Sequence, residues 1–328
     1  MRPIGWIRAP DLTELSIMKV SVIMPCFNHA RFLAESVSSV LRQSHGELEL
    51  IITDDCSSDT SWDVMSKLAA QDQRVRLIKH ERNQGLSRSR NNAMDIANGE
   101  LIGFCDSDDV WEPHKLRTQV ERLQSRPDCD VVYSDSIIID ENGKPTGQRF
   151  SDLFPVPSNP SGRLFPELVT RNFVNIQSVL LRKGAVARVG HFDEKIEWIQ
   201  DWWYWVQISR EHSFLYCPEP LARYRVHSGS TNLVHDRAYK TNRVKVFRRI
   251  LGAYPDLPPS AKADICYSMG IDLCALSKCR FGRQVLWRSA GFSMTGARTW
   301  PRLCKTIVRI VLSVSKTPCC EGASSRQH

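Results

Sequence analysis

From Lys19 onward, short β-branched runs alternate with longer stretches of helical spacing, and that alternation restricts the chain to an α/β fold with a parallel sheet. Residues 20–24 read as a compact strand stopped by Pro25. Residues 30–43 then carry apolar side chains at Phe32, Leu33, Val37, Val40 and Leu41, one face of a helix. A second strand at 48–53 runs into Asp54-Asp55, and Ser57 or Ser58 is placed to cap a helix reaching Leu68 and Ala69. A third strand covers 75–78, and Gly85 opens a helix that ends near Gly99. The fourth strand, 101–105, stops at Asp106-Ser107-Asp108-Asp109. A helix is expected from about 111 to 124, and 131–134 with 137–139 supplies a fifth strand.

Residues 140–163 break this rhythm with Gly143, Pro145, Pro155, Pro157, Pro160 and Gly162, as a long loop of the kind that often closes over a site. Strand character returns at 176–181, and 199–209 reads as an aromatic-rich helix. Beyond Asn232 the pattern is mainly helical. We expect an N-terminal extension over 1–18, an α/β domain over 19–232, a helical basic region over 233–318 and a disordered tail over 319–328.

Charge is unevenly placed. The chain of 328 residues carries a formal +8, and residues 280–318 hold eight Lys or Arg with no Asp or Glu. No nucleic-acid module with interleaved aromatics accompanies this segment, so an anionic membrane ranks ahead of nucleic acid, with a helical cap packed on the α/β domain as the equal alternative. No stretch of 18 uncharged apolar residues is present, which excludes a conventional membrane span. Eleven cysteines without a regular framework, and an N-terminus that lacks a continuous apolar core, imply a cytoplasmic protein, with peripheral contact at the inner face of the cell membrane left open by the basic segment.

A strand that stops at Asp-x-Asp presents carboxylates from a loop, the usual way to hold a hard divalent cation together with substrate phosphates. The plainer reading is that Asp108 or Asp109 caps the helix that follows. Ligands of open α/β sheets bind beyond the carboxyl ends of the strands, and Pro25-Cys26-Phe27-Asn28, Asp54-Asp55 and Asp106-Ser107-Asp108 all fall there. Neither a dinucleotide-binding Gly-x-Gly-x-x-Gly turn nor a Walker loop is present.

These ordered segments resemble the inverting family 2 glycosyltransferases with the GT-A fold, over residues from about 19 to 232. The resemblance implies a Rossmann-like, mostly parallel central sheet flanked by helices, here followed by the mainly helical basic C-terminal region. It also implies a nucleotide-diphospho-sugar donor, UDP-linked first with GDP or dTDP open, and Mg2+ or Mn2+ as cofactor. Val-Ser-Val-Ile-Met-Pro-Cys-Phe-Asn is similar to the family's opening strand and nucleotide turn, which assigns Pro25, Phe27 and Asn28 to the donor. Asp54-Asp55-Cys56-Ser57-Ser58-Asp59 resembles its Asp-Asp-Gly-Ser-x-Asp segment, with Asp55 on the base and Cys56 in place of Gly. Gln84 to Asn91 resembles the Gly-x-x-x-Ala-Arg-Asn helix start and assigns Arg90 to the donor. Asp106-Ser107-Asp108 matches Asp-x-Asp, with Asp106 and Ser107 at the nucleotide sugar, Asp108 as direct metal ligand and Asp109 as a helix-start acid.

Direct inversion needs one carboxylate to take the acceptor proton. Asp201 is the candidate, in Ile199-Gln200-Asp201-Trp202-Trp203, where Gln200 replaces the family's Glu. An N-terminal helix acid is the alternative role for Asp201. Trp198, Trp202, Trp203 and Trp205 crowd around it. Most such residues are core, while Trp202 is kept as a candidate sugar platform. Arg223 to Ser228 resembles the family's Tyr-Arg-x-His segment and assigns Arg225 to the diphosphate and His227 to the metal, with a phosphate as the alternative for His227. The expected acceptor is a glycan or a lipid-linked hydroxyl. The competing readings are a nucleotidyltransferase and a non-catalytic nucleotide-sugar-binding protein.

Overall fold

The computed structural model describes residues 18–229 and 236–276, with 284–286 and 288–289. Expectations for the N-terminal extension before residue 18, for most of the basic segment and for the tail lie outside the described residues. The chain falls into two compact units, one of 1–168 with 172–230 and one of 169–171 with 231–328.

The first unit is built on a nine-stranded sheet. Strands β1 (Val20–Cys26), β2 (Leu48–Asp54), β3 (Val75–Lys79) and β4 (Leu101–Phe104) run parallel in the order β3-β2-β1-β4. Every residue of β1, β2 and β4 is buried, as continuous apolar runs covered on both faces require. Helices α1 (Ala30–Leu41), α2 (Ser61–Gln71) and α3 (Leu86–Asp95) follow β1, β2 and β3. Ser21 and Glu49 are polar interruptions that satisfy each other at 2.6 Å, and they also take the amides of Gly99 and Asn98. Only glycine fits at position 99, since a Cβ there would lie 2.5 Å from the Ser21 nitrogen.

Past β4 the sheet turns mixed. β8 (Leu180–Arg182) runs antiparallel to β4 and to β6 (Val131–Ile139), which pairs in parallel with β9 (Phe214–Arg225). β5 (Val110–Trp111) lies antiparallel on β9, and β7 (Pro145–Arg149) on β6.

Several expectations are corrected here. The helix placed from residue 111 starts later, as α4 (Lys115–Ser125), because Val110 and Trp111 pair with Arg223 and Ala222. The strand placed at 176–181 divides into a 3-10 turn at Ile176–Ser178 and β8, because the Asn175 side chain accepts the Gln177 amide and its carbonyl accepts the Ser178 hydroxyl. The supposed loop at 140–163 contains β7 and a short helix, α5 (Phe150–Leu153). It is tied to β6 where the Ser151 amide and hydroxyl donate to Asp135. Strand β9 was not read from the sequence at all, because Pro218 and Pro220 interrupt it. They fall where the register with β6 shifts, a bulge that tolerates residues without an N–H.

After β8 come α7 (Lys183–Val189) and α8 (Gln200–Ser209), with α6 (Phe165–Leu168) ahead of them. The second unit contains α9 (Asp236–Ala253) and α10 (Pro259–Ala275), joined by an ion pair of 3.3 Å between Arg243 and Asp272. Among the described residues, no helix is long and apolar enough to cross a membrane.

Candidate functional site

The register of β1 against β2 sets Cys26 opposite Asp54, and β4 ends beside Ile23, so the loops leaving these strands open at one sheet edge. Three non-glycine residues among those described have left-handed backbones, and all border this edge or the start of α8. They are Asn28 (φ 57), Cys56 (φ 62) and Trp198 (φ 68). Such conformations cost an L-residue energy and persist only where surroundings impose them. Cys56 therefore occupies a turn whose geometry suits glycine.

The first two loops are laced together. Asn28 Oδ1 accepts the amides of Ser58 and Asp59, and the Asn28 amide donates to Ser57 Oγ. The expected Ser57 or Ser58 cap is instead supplied by Asp59, whose Oδ1 accepts the Ser61 amide and whose Oδ2 accepts the Ala30 amide, serving α2 and α1 together. Phe27 is 44% exposed at the rim, whereas Pro25 is buried in β1 opposite Thr53. Asp55 is buried and takes the His80 ring at 2.7 Å and the amides of Gln84 and Gly85 at 2.8 Å each. His80 also meets Asn92 at 2.9 Å through its other nitrogen.

At the end of β4, Asp106 faces Arg90, whose Nη2 reaches both carboxylate oxygens, while the Asp106 amide donates to Gln177. Ser107 is buried, its carbonyl accepting the Ser36 hydroxyl and its own hydroxyl lying 2.8 Å from His29 Nδ1. Asp108 Oδ2 lies 3.1 Å from His227 Nε2, and Asp108 Oδ1 lies 3.9 Å from His29 Nδ1. Burial would raise the Asp108 pKa, but the His227 hydrogen bond and the nearby imidazoles hold it below the ordinary carboxylate value. Ligating atoms of His29, Asp108 and His227 lie within 4.8 Å of one another. A carboxylate beside two imidazoles suits a divalent ion, so these residues fit the expected cofactor.

Three roles expected from the sequence change. Asp109 does not start a helix. It is buried and accepts the Arg225 amide at 2.7 Å, and burial next to Asp108 and Asp106 pushes its pKa well up. Arg225, expected at the diphosphate, has its side chain buried against protein groups. It is 1% exposed, gives Nε to the Asp108 carbonyl, Nη2 to Glu35 at 2.6 Å and Nη1 to the carbonyls of Asp140 and Glu141. Trp202 is no open sugar platform. It is 3% exposed and donates its indole N–H to the Leu168 carbonyl at 2.7 Å.

Asp201 stands in the first turn of α8, half-buried, and accepts from Asn172 at 3.3 Å. Its carboxyl is pushed up to about 6 by burial, against the opposing pull of the Arg90 charge, the Trp202 amide and Asn172. Sequence reasoning missed His29, His80 and Asn172. Of these only His29 left a trace, as the residue next to Phe27-Asn28.

The family model for glycosyl transferase family 2 matches residues 21–187, just over half the chain. The chain belongs to glycosyl transferase family 2. This family member is 41% identical over 133 residues to an uncharacterized glycosyltransferase of Nostoc sp. (strain PCC 7120), covering 40% of each chain. It is 36% identical over 126 residues to the putative teichuronic acid biosynthesis glycosyltransferase TuaG of Bacillus subtilis, covering 38% of this chain and 50% of TuaG. The match thus spans half or less of these two relatives. The fold is similar to that of S. aureus TarS 1-349 in complex with UDP-GlcNAc, with a TM-score of 0.57, 17% identity and coverage of 86% and 93%. It is also similar to the mannosyltransferase PcManGT of Pyrobaculum calidifontis in complex with GDP-Man and Mn2+, with a TM-score of 0.58, 17% identity and coverage of 96% and 85%. These likenesses make the fold GT-A.

Proposed function

We propose that this glycosyltransferase moves a sugar from a nucleotide-diphospho-sugar, UDP-linked first, to a hydroxyl of a glycan or lipid-linked acceptor, with inversion at the anomeric carbon. One observation carries the reading. Asp201, lifted to about 6, shares the Arg90 charge with Asp106, two residues from Asp108. A carboxylate at that value is ionised at neutral pH yet basic enough to take a hydroxyl proton. Asp201 takes that proton, and attack from the opposite face needs no second carboxylate or covalent intermediate.

Asp55, pinned by His80 and two amides, addresses the base, with Phe27 and Asn28 at the rim. Asp106 faces the sugar-nucleotide, Arg90 fixes Asp106, and buried Ser107 braces the loop between Ser36 and His29. Asp108 and His227 would hold a divalent ion, which would offset charge on the departing diphosphate. Fold neighbours in complex with UDP, UDP-GlcNAc and GDP-Man support a nucleotide-sugar donor. The basic segment 280–318 supplies the contact with an anionic membrane in this reading.

The test measures nucleotide released from a panel of UDP-, GDP- and dTDP-sugars with Mg2+ or Mn2+, for the full chain and for Asp201→Asn. Release from at least one donor, lost in the variant, is expected. No release from any donor sinks the enzyme reading, and full transfer by Asp201→Asn removes the base. Co-sedimentation of the chain with anionic but not neutral vesicles tests the membrane contact.

A further inference from the structure

We infer that His29 is a third protein ligand of the ion, so that the site binds a divalent transition ion in preference to Mg2+ and before any donor arrives. The inference rests on the reading of Asp108 as a metal ligand. An ion held by Asp108 and His227 alone leaves most of its coordination shell to water and substrate phosphates, and its tight binding then waits on the donor. A third side chain changes that.

His29 is mounted rigidly. Its amide donates to Ser61 Oγ at 3.0 Å, and its carbonyl accepts the amides of Phe32 and Leu33 at 2.9 and 3.0 Å as α1 begins. The ring stands edge-on to His227, with centroids 5.9 Å apart and planes at 84°. Nδ1, the nitrogen in the 3.9 Å pair with Asp108 Oδ1, is held by the Ser107 hydroxyl. Bonds of about 2.1 Å put adjacent ligands of an octahedral ion about 3.0 Å apart and opposite ones about 4.2 Å. Asp108 lies 3.1 Å from His227 and 3.9 Å from His29, and all three ligating atoms lie within 4.8 Å of one another, so the set closes on an ion by inward shifts of the two imidazoles. Mg2+ favours an all-oxygen shell and keeps its waters, whereas two imidazoles beside one carboxylate favour first-row transition ions. The ring gives up Ser107 when it turns its lone pair to the ion.

The experiment titrates nucleotide-free, full-length protein with Mn2+ and reads free Mn2+ by electron paramagnetic resonance, with Mg2+ as competitor. It compares the parent chain with His29→Ala, His29→Asn, His227→Ala and Asp108→Asn, each with its melting temperature recorded. We expect the parent to bind Mn2+ without nucleotide and to resist excess Mg2+. Each variant should bind at least about tenfold more weakly. His29→Asn keeps a side chain able to bond Ser107, so weak Mn2+ binding at an unchanged melting temperature isolates ligation from loop packing. Parent-like Mn2+ affinity in both His29 variants, with losses at Asp108 and His227, overturns the inference and leaves the metal reading of Asp108 intact. Unchanged binding in all four variants, or none in the parent, rejects both.

Discussion

Arg90 holds Asp106 with one nitrogen, Nη2 lying 2.6 Å from one carboxylate oxygen and 2.9 Å from the other, with the arginine 1% exposed. Its Nε and Nη1 have no hydrogen-bond partner among the described residues, and its charge is the chief force opposing the burial that lifts Asp201. One guanidinium therefore acts on Asp106 and on the proposed base together.

Removing that charge should raise Asp201 further. The acid limb of kcat/KM, near pH 6 in the parent, is expected to move to higher pH in Arg90→Gln. In Arg90→Lys it should stay within about half a unit, because the charge remains while the two-oxygen grip on Asp106 weakens and the rate falls. Rates between pH 5 and 8.5 decide, and a stationary limb in the glutamine variant would mean the charge does not reach the base.

Asp201→Asn should reduce transfer by about 10²–10⁴-fold while raising the melting temperature at neutral pH. The sign follows from a folded pKa above the unfolded one. Above about pH 6 the acid is ionised in both states and the folded state bears the desolvation cost. As pH falls through 6 the folded protein takes up the proton first, and below the ordinary carboxylate value no difference remains. Thermal unfolding at pH 4 and 7.5 tests this, and a gain at pH 4 equal to that at 7.5 contradicts it.

Arg225→Met should destabilise the fold by about 2–4 kcal/mol, since it strands the Asp140 and Glu141 carbonyls and frees the end of β9 from the Asp108 loop. Donor affinity should fall with it. Denaturant unfolding supplies the first number and nucleotide titration the second. A variant as stable as the parent would show that Arg225 braces nothing.

Lys115 is fully buried with its ammonium 2.7 Å from Gln119 Oε1 and 4.0 Å from the Trp111 ring centroid, and burial lowers its pKa to about 7 from 10.5. Between those values the unfolded chain binds the extra proton, so stability rises with pH across that window, and the penalty is complete below 7. Lys115→Met should therefore stabilise most at pH 7 and below, with a gain that shrinks toward pH 10. A gain that is flat with pH would place the lysine's cost elsewhere.

What was legible in the sequence follows physical locality. Strands β1, β2 and β4 announced themselves because a strand buried on both faces must be apolar throughout, and the Asp106 to Asp108 loop because carboxylates after such a run are conspicuous. Strand β9 was hidden since its pairing lies with distant β6, and a bulge excuses its prolines. Trp202 looks functional by type and Arg225 by resemblance, yet donors of both are taken by carbonyls of Leu168 and Asp108, partners that no local pattern discloses. His29 and Ser107 meet across 78 positions, and His80 and Asp55 across 25.

The contact between Asp108 and His227 spans 119 positions, and the Arg225 amide reaches Asp109 across 116. Closing so long a segment carries a chain-entropy cost that the local β-α-β turns of the first hundred residues do not bear. The Asp108–His227 contact therefore depends on the non-local pairing of β6 with β9, whereas the Asp55–His80 contact closes across only 25 positions.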